Sequence, residues 1–158
     1  SFPTRRSSDL VAQLKANLLA APATVAGSKV YTDRAWPIDE SELPTLQVFS
    51  GREAMTPLTV HWPCLQEHRL ELLLVDKVHA TSGIDETMNA FIAQILTKLY
   101  GTANASTLAP LTNVRLEPPG EDTVIRTPQE DAQAAFAQFT VRAIACFQTM
   151  SNAPETLV

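Results

Sequence analysis

Five glycines in 158 residues leave little scope for the backbone cradles that hold phosphate groups. Neither a Gly-x-Ser-x-Gly elbow, a glycine-rich phosphate loop nor a His-Glu-x-x-His helix occurs. The two cysteines, Cys64 and Cys146, can form at most one bridge, and they read as free buried thiols in a reducing compartment. No cluster of lysine and arginine is present, and a net charge of −5 with a pI near 5.1 argues against nucleic acid or an anionic membrane as the main partner. No stretch approaches the ~20 apolar residues that span a bilayer. Arg5-Arg6 followed by Ala20-Ala21-Pro22-Ala23 imitates an export signal, but Gln13, Lys15 and Asn17 interrupt its core, so the chain reads as soluble and cytoplasmic.

What is there has the composition of one globular domain. Apolar residues make up 45% and charged residues 18%, and 11 prolines against the few glycines imply stiff connections. Ser1 to Asp9 (SFPTRRSSD) looks like translated sequencing-adaptor sequence rather than native protein, and is set apart from the functional reading. The domain is expected over residues 10–148, with 149–158 as a flexible tail.

Leu10, Val11, Leu14, Leu18 and Ala21 recur at helical spacing, and Pro22 ends the pattern. Lys29 to Trp36 and Leu43 to Ser50 read as two strands, separated by the acidic stretch around Asp39, Glu40 and Glu42. Gly51 to Gln66 holds Pro57 and Pro63 and shows no sustained period, which predicts a long connection. Arg69 to Ala80 alternates, with Leu70, Leu72 and Leu74 on one face, and predicts a central strand. Ile84, Met88, Phe91, Ile92, Ile95, Leu96 and Leu99 give a second helix, opened by a capping pattern at Ser82 and Asp85 and closed near Gly101. Leu111 to Glu117 and Ala135 to Gln148 complete the strands. Strands in blocks with one helix between them predict an α+β fold: a single two-layer domain, its four- to five-stranded mostly antiparallel sheet carrying two helices on one face.

A search for chemistry gives nothing specific. His61, Cys64 and His68 lie close in sequence but lack a fourth ligand and the paired spacing of a zinc site, so no metal is expected. The acidic pairs Asp39/Glu40/Glu42, Glu121/Asp122 and Glu130/Asp131 fall beside prolines and read as solvated loop charge. Trp36 and Trp62 sit at strand ends or in loops, where tryptophan serves either the core or an interface hot spot. The segment from Pro118 to Asp131 is long for a structureless connection and places Val124 and Ile125 inside a rim of Glu117, Glu121, Asp122, Glu130 and Asp131, a pattern suited to docking. The residues thus favour an interaction protein over an enzyme.

Val30-Tyr31, Arg34, Trp36-Pro37, the acidic spacer, and Glu42-Leu43-Pro44 running into Gln47-Val48-Phe49 resemble the start of tailed-phage tail terminator proteins, the minor tail protein U-like family. The order of elements that follows is similar through about Gln148. The resemblance implies a structural α+β subunit, without catalytic residues or cofactor, that assembles with itself into a ring, commonly a hexamer. It also implies a tail tube protein and a head-tail connector as partners, and a place in the host cytoplasm during assembly and then in the virion tail. Arg34, Trp36, Trp62, Glu121, Asp122, Val124 and Ile125 are the candidate interface residues. The alternative from another class is a small-molecule or peptide-binding module, or an unrecognised enzyme, on the same scaffold.

Overall fold

The computed structural model describes residues 5–20, 24–32, 40–79, 84–100, 114–127 and 136–158. They form an α+β arrangement of two helices and one sheet: α1 (Arg5–Leu19), β1 (Val30–Thr32), β2 (Thr45–Pro57), β3 (Leu65–His79), α2 (Ile84–Tyr100), β4 (Arg115–Glu117), β5 (Val124–Thr127), β6 (Phe136–Met150) and β7 (Ala153–Leu157). Expected elements recur at the expected places, with α1 beginning at Arg5 rather than Leu10. Ser82, Gly101 and most of the segment between Leu111 and Val114 lie outside the described residues.

The centre of the sheet is the β3–β6 pair, antiparallel and in unbroken register from Leu65 opposite Met150 to His79 opposite Phe136. On β3 the even-numbered residues from His68 to Val78 point to one face and are buried there, and on β6 the odd-numbered Phe139, Val141, Ala143, Ala145 and Phe147 meet them. Side chains of a strand alternate between faces, so this one face is apolar except at His68 and Asp76. It shares a single core with Leu10, Leu14 and Leu18 of α1 and with Met88, Phe91, Ile92, Ile95 and Leu99 of α2. Phe91 meets Phe139 edge to face, centroids 5.7 Å apart. Lys98 of α2 donates to the carbonyl oxygens of Asn17, at 3.2 Å, and Ala20, which satisfies acceptors left over at the end of α1.

The sheet has seven strands where four to five were expected. One side of β3 carries β2, and β1 runs parallel to β2 at its edge. The far side of β6 is covered piecewise: β5 pairs with Gln138–Val141, β4 with Ile144–Cys146, and β7 with Thr149 and Met150. The two additional strands are short edge pieces, β5 within the expected long loop and β7 within the expected tail. Both are strands because β6 offers them an edge of unpaired amides, and their own composition carries no alternation long enough to announce it.

The expected connection from Gly51 to Gln66 is also corrected. β2 and β3 continue into it and pair as far as Pro57 and Gln66, leaving only Leu58 to Cys64 as the loop. A bulge between Ser50 and Glu53 sets Gly51 and Arg52 together opposite Glu71, and a Cβ on Gly51 would come within 2.5 Å of the Glu71 carboxylate. Glu71 is itself held by Arg142 at 2.6 Å, so it is not free to yield.

Asp76 interrupts the apolar face. It lies on β3 between Leu46 and Phe139, fully buried, and among the described residues neither of its oxygens has a hydrogen-bond partner. Burial raises its pKa well above the ordinary value.

Two outcomes follow from this core. Phe91→Ala removes the ring that α2 sets against Phe139 and lowers unfolding free energy by about 3–5 kcal/mol in chemical denaturation. Asp76 holds its proton to higher pH when folded than when unfolded. Its cost is therefore absent below the unfolded pKa and grows as pH rises towards the folded one. Asp76→Asn should raise the denaturation midpoint at pH 7 and flatten its decline between acidic and neutral pH.

Candidate functional site

Past Val48, the last residue that β1 pairs, the outer edge of β2 has no strand partner among the described residues. The hairpin made by β2, its loop and the start of β3 is thus an arm. Every residue from Gly51 to Pro63 is exposed. Its apolar members are large: Met55 is 60% exposed, Val60 95% and Trp62 79%, with Leu58 exposed beside them. Large apolar side chains standing in solvent on one hairpin have the character of an interaction surface.

The loop end of the arm is tied to itself and to the end of β6. The Leu58 amide donates to the Leu65 carbonyl at 2.7 Å, and the Leu65 amide to Thr59 Oγ1 at 3.0 Å. Cys64 and Ser151 bond reciprocally, the Cys64 amide to Ser151 Oγ at 2.9 Å and the Ser151 amide to the Cys64 carbonyl at 2.8 Å. Beneath the arm His68 is fully buried, stacked on Phe147, with Nδ1 3.0 Å from Glu53 Oε1 and Nε2 2.6 Å from Thr149 Oγ1. An ionised Glu53 can only accept, so Nδ1 carries the proton and Nε2 accepts from the Thr149 hydroxyl. The order hydroxyl, imidazole, carboxylate is that of a nucleophilic relay, yet Thr149 and His68 are both buried, which leaves a substrate no approach. The trio ties β2, β3 and β6 together.

On the face away from the helices, Arg69 and Arg115 converge on Glu117, at 3.1 and 2.7 Å, with Cys146 beneath them. Burial pushes the Glu117 carboxyl up, but hydrogen bonding from Arg69 and the charge of Arg115 outweigh it and hold the group below its ordinary value. The Cys146 thiol is shifted the other way: burial raises it further than the Arg69 charge lowers it, so it is a protonated thiol and a poor nucleophile. A cleft of about 260 Å³ opens beside it at the far edge of β6, in the gap between β4 and β7, lined by Glu67, Val114, Arg115, Cys146, Phe147, Gln148 and Val158.

The candidate residues chosen from sequence fall in different places. Trp62 is at the tip of the arm. Glu121 and Asp122 are exposed in the turn between β4 and β5, where Asp122 takes a positive φ of 53°. Val124 and Ile125 do not form one apolar centre: on β5 they point to opposite faces, Val124 packing against the core and Ile125 standing 44% exposed. Arg34 and Trp36 lie outside the described residues. The arm and the Glu121–Asp122 turn occupy opposite edges of the sheet. Met55, Val60 and Arg52 were not singled out by sequence, because past Ser50 the β2 segment shows no apolar alternation. No group of three or more histidine, cysteine or carboxylate side chains among the described residues could hold a metal ion, and none of the described helices is long and apolar enough to cross a membrane.

Compared with known proteins, the chain matches no family model and no curated protein.

Side chains that stand as exposed as Val60 and Trp62 should tolerate change. Val60→Ser and Trp62→Ser are expected to alter unfolding free energy by less than about 0.5 kcal/mol. A larger loss in thermal or chemical denaturation would mean the tip belongs to the core.

Proposed function

We propose that the protein is a structural subunit of a phage tail that assembles with itself into a ring, caps the tail tube and offers the surface to which the head is joined. The observation that carries the reading is the arm, a hairpin whose Met55, Val60 and Trp62 stand in solvent. Large apolar side chains held out on a hairpin suit a contact between proteins, with tryptophan the residue type most enriched at binding hot spots. The resemblance at Val30-Tyr31, Glu42-Leu43-Pro44 and Gln47-Val48-Phe49 supplies the kind of assembly. A ring fits the task, because subunits joined head to tail and closed on themselves leave no growing end. In this reading the tail tube protein and the head-tail connector are the partners, the ring is a hexamer, and the protein passes from the host cytoplasm into the virion.

The test is capping. Purified protein added to growing tubes of the cognate tail should stop elongation and leave a ring at tube ends in negative-stain images. The double variant Val60→Ser/Trp62→Ser should need at least about tenfold more protein for the same effect. Tubes that elongate unchecked, with the wild-type protein present only as monomers, would overturn the proposal.

A further inference from the structure

The rungs of the ladder line up features at the two edges of the sheet. The bulge that presents Arg52 lies opposite Glu71, which pairs with Ile144, which pairs with Glu117 at the end of β4. The turn carrying Glu121 and Asp122 starts from that rung, and two residues on, the Arg142 amide donates to the Thr123 carbonyl. A second set of rungs repeats the pattern. Met55 lies opposite His68 and Phe147, and Phe147 faces the gap between β4 and β7, where Val114, Phe147 and Val158 form the apolar part of a cleft that Glu67, Arg115, Cys146 and Gln148 also line.

A cation and an exposed apolar knob thus stand at one edge; on the other a hole stands on the rung of the knob, and two carboxylates stand within two residues of the rung of the cation. The charges are uncommitted. Arg52 has no ion pair, and the Glu121 and Asp122 carboxylates have none, among the described residues. The one acid beside Arg52 on the arm, Glu53, is taken by His68.

We infer that these edges are the two halves of one contact between copies of this chain: Met55 of one copy enters the Val114–Phe147–Val158 cleft of the next, and Arg52 meets its Glu121 and Asp122. The inference rests on the ring reading above and names the contact that would build it. A copy displaced along the direction that runs across the strands brings both pairs together, since Met55 and the cleft share a rung and the rung of Arg52 lies two residues from the Arg142 rung that holds the Glu121–Asp122 turn. The two surfaces differ, so the contact is heterologous: every added copy leaves one arm and one far edge open until the last closes on the first. Burial of Met55 supplies the apolar contact, while the charges fix orientation and reject a copy docked the wrong way round.

The test uses the full chain in sedimentation velocity and mass photometry, with circular dichroism melts as a check on folding. Arg52→Glu alone, Glu121→Arg with Asp122→Asn, and Met55→Asp should each raise the dissociation constant of self-association at least about tenfold and leave the melting curve in place. Asparagine is used at 122 because it tolerates the positive φ. Mixing Arg52→Glu with the Glu121→Arg/Asp122→Asn chain should restore association, because each reversed edge then meets its opposite. Adding Met55→Asp to both should abolish the recovery. Variants that associate like wild type, a mixture that stays dissociated, or a wild-type chain that is monomeric at every attainable concentration would each overturn this contact. Variants that associate like wild type, or a mixture that stays dissociated, leave the ring reading in place; that reading stands or falls on tube capping.

Discussion

The pairing of β3 with β6 is the constraint on which the rest depends. Both strands run through the whole sheet, and their register fixes which residues face the helices, because a slip of one position would turn every side chain to the other face. The core leaves little freedom: Leu70, Leu72 and Leu74 against Ala145, Ala143 and Val141 alternate large and small across the rungs, giving room for the helix side chains above. Everything else attaches to one of these strands. β2 and the arm hang on β3, and β4, β5 and β7 patch the outer edge of β6 in series.

That division explains what the sequence made legible. A face buried along its whole length writes a period into the chain, and so β3, β6 and α2 could be read from Leu70–Leu74, Phe139–Phe147 and the Met88–Leu99 stripe. Edge pieces write none. β5 and β7 are short, pair on one side only, and owe their strand character to the amides β6 offers; β2 beyond Ser50 is exposed on both faces and has no apolar alternation to display. Proline-rich stretches that look like loops in isolation are strands where a long neighbour supplies the partner.

The polar residues inside the core were legible in principle. Extending the Leu70, Leu72, Leu74 stripe by one step of two residues in each direction reaches His68 and Asp76, and both are buried on that face. Their solutions differ. His68 meets a carboxylate and a hydroxyl and so closes the core beneath the arm, whereas among the described residues Asp76 meets neither and its burial favours the protonated form. A pattern of alternation predicts where a side chain points, but the partner that makes a buried imidazole acceptable came from Glu53 and Thr149, 15 and 81 residues away in sequence.

The same architecture bears on how an assembly could be built from this chain. A sheet whose centre is fixed by two long strands transmits position from one edge to the other, so features on the same rung keep their relative height even though no side chain connects them. The bulge at Gly51–Arg52 therefore does two things at once. It disturbs the open edge of β2 enough to discourage indiscriminate strand pairing, a usual defence of exposed edges, and it turns a charged residue outward at a defined height. Gly51 is the residue that permits this, because the Glu71 carboxylate pinned by Arg142 occupies the space a side chain would need. An edge that is blunted against random partners yet carries a cation and a large apolar side chain at set rungs is specific by exclusion as much as by attraction.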